Sequence, residues 1–223
     1  MSVKLPGFLG LPRDLPKEPL IKSMWKSVVG SKSASDEIAF TMLTQEANNW
    51  CWSAVAQAAR FHFVQAWEKS QTQIATEHIR RARPHVTCAP DQGAVEGGTC
   101  NPGHCDKPCN GMHKVRVVLQ EVGIDVGTLS EEAPVPFESI QSEIRNGAPV
   151  ICRIDFGDGI GHFICVSGWR VQSGTRQVYV HDPKIGEHGR ECWSDWIPYA
   201  NLANSYVVQG MIGSNNYSYR VRG

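Results

Sequence analysis

The chain has 223 residues, enough for one large domain or two small lobes, and its 41% hydrophobic content supports a real core. Its 22 Lys and Arg balance 22 Asp and Glu, which removes the electrostatic case for nucleic acid or an anionic membrane as a partner. No stretch is long and apolar enough for a helical membrane span, and Met1 to Leu11 shows no charged region followed by a continuous apolar one, so neither an anchor nor a classical secretion signal is expected.

Residues 1–36 read as an N-terminal arm: Pro6, Pro12, Pro16 and Pro19 precede a Gly30-Ser31-Lys32-Ser33-Ala34-Ser35 connection. An ordered strap, a pro-segment and a delivery signal all fit it. The domain proper is expected over 37–223, with a helical lobe over about 45–147 and a β lobe over about 148–223. A helix should open at Cys51 and run through Val55, Ala56, Ala59, Phe63 and Val64, its small residues alternating with large ones as in a central buried helix. Ile74, His78, Ile79 and Ala82 mark a second helix, with Arg80, Arg81 and Arg83 as its solvated end. An insertion over 88–109 holds Cys88, Cys100, Cys105 and Cys109, with His104 and His113 nearby. Its irregular spacing leaves disulfides, free thiols and a metal site open. Val115, Val118, Leu119 and Val122 give a third helix, stopped by Gly123, and Phe137, Ile140 and Ile144 a fourth, ending at Asn146-Gly147. Beyond Pro149 the pattern turns to strands: Val150 to Asp155, His162 to Arg170, Val178 to His181, Glu191 to Trp196, Ser205 to Ile212 and Tyr217 to Val221. Helices first and strands second make an α+β chain. Cys152 and Cys165 lie in apolar strands and should pack as small buried hydrophobes.

Chemistry concentrates at four positions. Cys51 opens a helix, where unpaired backbone N–H groups and the macrodipole favour a thiolate and hold an oxyanion. Gln45, six positions earlier, supplies a side-chain N–H to that oxyanion if the chain turns back before the helix. His162 follows Gly161 on a strand, where the absent side chain leaves room for a substrate, and Asp182 ends a strand that Pro183 must stop. Nucleophile, base and orienting carboxylate thus come in the order Cys, His, Asp. His181 adjoins Asp182, but in a strand its side chain points to the opposite face. His62 and His78 read as ordinary helix residues, and Asp155 and Asp158 either border a cleft or simply solvate a loop.

These residues resemble papain-like cysteine peptidases: Gln45 and Cys51-Trp52 match the nucleophile motif, Gly161-His162 the base and Asp182-Pro183 the third member. The Asp-Pro pair, and the entry Asn146-Gly147-Ala148-Pro149-Val150-Ile151, are similar to the bacterial branches that process bacteriocin leaders or act as secreted effectors. The resemblance covers Thr41 to Pro183 and departs from the family at the insertion and the arm. It implies a two-lobed papain-like fold with the site in the cleft, Cys51 from the helical side and His162 and Asp182 from the sheet. It further implies a thiol protease without a cofactor, acting on a protein or peptide substrate. For a delivered toxin or effector, an immunity protein or inhibitor would be the second partner, and export would need a non-classical route.

Two other functions stay open. Glutamine deamidases and transglutaminases use Cys, His and Asp in the same order, and the spacing of Gln45 favours the peptidase over them. A catalytically silent binding module would keep the fold, although no catalytic residue is missing.

Overall fold

The first described helix of the computed structural model shows why the site forms where it does. In α1 (Cys51–Val64) the first nine residues are all buried, and four of them are alanines. A helix enclosed on every side is a central one, and small side chains let its neighbours approach closely. It ends where Gln65 turns left-handed at φ 58° and returns its N–H to the Phe61 carbonyl. The structure describes residues 35–89, 93–96, 109, 111–157, 159–185 and 190–223, all within the unit Ala34–Gly223. The arm up to residue 34, Cys100, His104, Cys105 and Asp158 lie outside the described residues.

Two helices flank α1. The helix α2 (Gln71–Ala82) starts with a capping box in which Ser70 and Gln73 satisfy each other's backbone N–H groups. The shorter α3 (Val115–Glu121) buries Val115, Val118 and Leu119. Together with Ile151, Phe163, Cys165 and Val221 these helices enclose one core on one face of the main sheet.

That sheet has eight strands, with the order β4-β10-β5-β6-β7-β8 and two short strands off this path. The members are β1 (Ser35–Glu37), β4 (Asp125–Glu131), β5 (Val150–Gly157), β6 (Ile160–Gln172), β7 (Thr175–Asp182), β8 (Trp193–Pro198), β9 (Tyr206–Val208) and β10 (Met211–Arg222). All pairings are antiparallel; β5 covers β6 from Ile160 to Val166, and β1 continues that line opposite Gly168 to Arg170. A separate hairpin joins β2 (Val86–Ala89) to β3 (Gly93–Glu96), and a Cys88–Cys109 disulfide ties it to the segment beside α1. The bridge settles two of the four insertion cysteines as a disulfide. Both tryptophans at the start of α1 hold this wall, Trp50 Nε1 donating to the Cys109 carbonyl at 2.8 Å and Trp52 Nε1 to that of Gly111 at 3.1 Å.

The α+β class is as expected, and the departures have local causes. Helix α4 (Phe137–Arg145) does not join the other helices: Phe137, Ile140 and Ile144 pack on the opposite face of the sheet, against Val150, Cys152, Ile154, Ile164 and Val166. Strand alternation explains this, since Ile151 and its even-numbered neighbours must face opposite ways and both faces of β5 are apolar. Strand β4 was not anticipated because only Val126 on it is buried. The six-residue α5 (Tyr199–Asn204) also escaped notice, being too short for a period to show. The expected strand from Ser205 to Ile212 is instead a hairpin, reversing at Gln209 and Gly210 with φ of 47° and 82°. The expected strand from Tyr217 to Val221 is the second half of β10. Polar residues in its middle hid the continuity, yet Asn215 is buried and satisfied, donating to Arg153 O, Tyr217 O and Ser218 Oγ and accepting from Val135 N–H.

Candidate active site

Three segments converge beside the first turn of α1. The loop before it is pinned by Gln71 of α2, whose Nε2 donates to the Thr44 carbonyl and whose Oε1 accepts from Glu46 N–H. It is also zipped to the loop after β7: Gln45 N–H donates to Pro183 O at 2.8 Å, Thr44 N–H to Arg190 O, and Cys192 N–H to Met42 O. Lys184 Nζ adds a bond to Asn48 O at 2.8 Å. Nucleophile loop and carboxylate loop are therefore held in register by backbone bonds that depend little on side-chain identity.

Cys51, His162 and Asp182 meet there. His162 Nε2 donates to Asp182 Oδ1 at 2.7 Å, and Cys51, which lines the same cleft, is close enough to act on the charge of the imidazole. Asp182 is wholly buried and fully used: Oδ1 also accepts the Lys184 N–H at 2.8 Å, and Oδ2 accepts the Tyr206 hydroxyl at 2.9 Å. Burial by itself would lower the basicity of His162. The hydrogen bonds and negative charges of Asp182 and Cys51 outweigh it and raise its pKa from 6.5 to about 10. Imidazolium beside sulfur is the resting charge state this geometry favours.

The remaining histidines fall elsewhere. His181 is hydrogen-bonded to Ser167 Oγ at 2.8 Å and packs on Phe40 and Tyr179, and burial lowers its pKa to about 4, so it stays neutral. His62 meets the Gly147 carbonyl, while His78 lies between Glu121 at 2.7 Å and His113 at 3.0 Å. The thiols of Cys152 and Cys165 are pushed up by burial, Cys152 to about 12, and act as inert apolar filler.

Two expectations need correction. Gln45 is buried, and its Nε2 donates to the carbonyls of Ala47 at 2.7 Å and Asn48 at 2.6 Å, the nearest acceptors in its own loop. No hydrogen of that amide is left for an oxyanion. Gly161 likewise does not leave open room for substrate: a Cβ there would lie 2.5 Å from Arg153 Nε, so the space is filled by a guanidinium. Sequence reasoning missed Tyr206 altogether, because it sits 24 positions beyond Asp182 with no local signature.

Cys51 and His162 line a cleft of about 490 Å³. Its walls come from Asn48 to Trp52, from the entry to α3 and from β5, β6, β9 and β10, with Met112, Ile160, Phe163 and Tyr219 among the apolar contributors. Helices on one side and sheet on the other make it the groove of a two-lobed fold. Among the described residues no group of three or more metal-ligating side chains is assembled, and no helix is long and apolar enough to cross a membrane.

Comparison with solved structures returns proteins of low identity. One, from a study of the mite allergens Blo t 1 and Der p 1, is 16% identical with a TM-score of 0.45, covering 93% of this chain and 74% of the other. Another, a digestive procathepsin L 3 of Tenebrio molitor larval midgut, is 10% identical with a TM-score of 0.43, covering 89% and 73%. No curated protein matches the chain. The sequence pattern of the Peptidase_C39 like family, however, matches residues 37–212, from the end of β1 to the first residues of β10. With a match of that extent, the chain belongs to the Peptidase_C39 like family and is a cysteine peptidase.

Proposed function

We propose that the chain hydrolyses peptide bonds of a protein substrate through Cys51, His162 and Asp182. The observation that carries this reading is the buried hydrogen-bond chain His162, Asp182, Tyr206, whose imidazole shares the cleft with Cys51. The Cys51 sulfur attacks the scissile carbonyl carbon, and backbone N–H groups at the start of α1 receive the oxyanion. His162 gives its proton to the leaving amine as the C–N bond breaks, leaving an acyl-thioester. It then takes a proton from the attacking water, and the acid leaves as the sulfur departs as thiolate, restoring the starting charge state. Gln45 joins the oxyanion site only by giving up a bond to Ala47 or Asn48. Comparing protein termini in a candidate target lysate treated with the wild type and with Cys51→Ala tests the proposal: new termini only with the wild type support it.

The engaged amide of Gln45 weakens the feature that separated a peptidase from a glutamine deamidase, so intact mass is the second readout. Deamidation through the same thioester adds about one mass unit without new termini. A role as a delivered bacterial toxin or effector rests on the Asp182-Pro183 resemblance. Growth arrest of a host expressing the wild type but not Cys51→Ala, relieved by a co-expressed neighbouring immunity protein, tests it.

Two predictions follow from the buried charge chain. Tyr206→Phe removes one of three donors to Asp182 with little change of shape, so kcat should fall about tenfold while the thermal midpoint moves little. Since Tyr206 acts only through Asp182, the alkaline limb of the rate profile should move with it, which a packing defect would not cause. The second concerns pH. The native pKa of His162 is raised above 6.5, so its contribution to stability is complete below about 6.5 and is lost as pH rises towards about 10. Activity should keep a plateau through neutral pH and fall on approaching 10, with the thermal midpoint falling over the same interval; a His162→Gln variant should lack that slope.

A further inference from the structure

Arg153 occupies an unusual place for a cation. It lies on β5, an interior strand, opposite Tyr217 of β10 and Phe163 of β6, and it lines the cleft beside the apolar Phe156 and Ile160. Its side chain is 21% exposed. A charge on a largely apolar floor is costly unless partners satisfy it. The partners it has engage one end only: Nη1 donates to Asn216 Oδ1 at 3.0 Å and lies 3.4 Å from Asp155 Oδ1, a carboxylate already shared with Asn216 Nδ2 and Gly157 N–H. Among the described residues, Nε and Nη2 have no acceptor.

Those two nitrogens form the edge that binds a carboxylate in a bidentate fork. A Cβ on Gly161 would lie 2.5 Å from Nε, 2.7 Å from Cζ and 2.7 Å from Nη2. The three nearest atoms are Nε, Cζ and Nη2, so Gly161 lies against the fork side of the guanidinium, and only the absence of a side chain there keeps that side open to the cleft that both residues line. The contact places the fork against the residue before His162, and all three residues line the cleft. Lys114, Arg116 and Lys184 also line the cleft, and no carboxylate does among the described residues.

We propose that Arg153 is a specificity-determining residue that docks a carboxylate of the substrate in the cleft that Cys51 and His162 also line. The carboxylate belongs either to an acidic side chain or to the substrate's own C-terminus. This rests on the peptidase reading, but the test is arranged so that each fails separately.

Binding is measured by fluorescence anisotropy on the full chain carrying Cys51→Ala, which does not turn over. The probes are labelled peptides in matched pairs: Glu against Gln at single internal positions with amidated ends, and free-acid against amidated ends. The expected result is that one position, or the free acid, is favoured about tenfold or more. Adding Arg153→Met should bring that ratio to about one, whereas Arg153→Lys, which keeps the charge but loses the fork, should leave about a threefold preference and serves if the methionine variant does not fold. Preference at an internal position assigns an acidic side chain; preference for the free acid assigns the chain end. Equal binding within every pair, no binding by any peptide, or a preference that survives Arg153→Met overturns the proposal. Cleavage of the same peptides by the wild type is scored separately: a carboxylate preference without hydrolysis sinks the peptidase reading and leaves the docking role standing.

Discussion

Replacing His162 with alanine is expected to abolish turnover and to slow modification of Cys51 by a thiol-directed epoxide about 10³-fold or more at neutral pH. The reason is the charge state rather than access. The imidazole shares the cleft with the sulfur, and its pKa of about 10 keeps it protonated there, so removing it takes away both the cation that favours a reactive sulfur and the acid that protonates the leaving amine. Other thiols serve as internal controls: Cys152, Cys165 and Cys192 are buried with raised pKa values and should stay unlabelled in both proteins while the fold holds. Epoxide labelling of Cys51 at an unchanged rate in His162→Ala would show that the two groups do not act as a unit.

Asp182→Ala should damage activity and fold together, whereas Asp182→Asn should separate them. The carboxylate is wholly buried and accepts from His162, Lys184 and Tyr206, so its removal strands three donors, and breaking such a buried pair costs about 3–5 kcal/mol. Loss of imidazole orientation should lower kcat by about 10²–10⁴-fold. Asparagine keeps an acceptor for His162 and Lys184, and its amide donates to Tyr206, whose hydroxyl then turns from donor to acceptor. Its kcat should stay within about tenfold of the wild type, but the alkaline limb should move to lower pH because the negative charge that helps to hold the His162 proton is gone. Denaturant unfolding and a pH–rate profile on both variants check this. Equal loss in both would mean that the charge, not the placement of the ring, is what the site needs from this position.

Much of the site was legible because its chemistry coincides with the ends of elements. Cys51 starts a helix, Gly161-His162 sits near the start of a strand and Pro183 ends another, and each boundary is visible in residue type and period. Gln45 shows the limit of such reading. Its spacing to Cys51 was right for a donor, yet hydrogen bonds follow the shortest path between partners, and the turn over 47–50 offers two carbonyls nearer than any substrate. Gly161 was read as space when it is a contact with Arg153.

Alternation and periodicity report whether a residue faces a core, which is a local property, and so the α+β class, the buried α1, most of the strands and the order nucleophile, base, carboxylate could be read along the chain. Partner identity is not local. Whether α4 joins the helices or the far face of the sheet, whether Tyr206 meets Asp182, and which end of Arg153 is paired among the described residues depend on strand order and register, and these are chosen by the summed packing of both sheet faces. Composition and spacing thus nominated the candidate reactive groups, while only the folded sheet decided their environment.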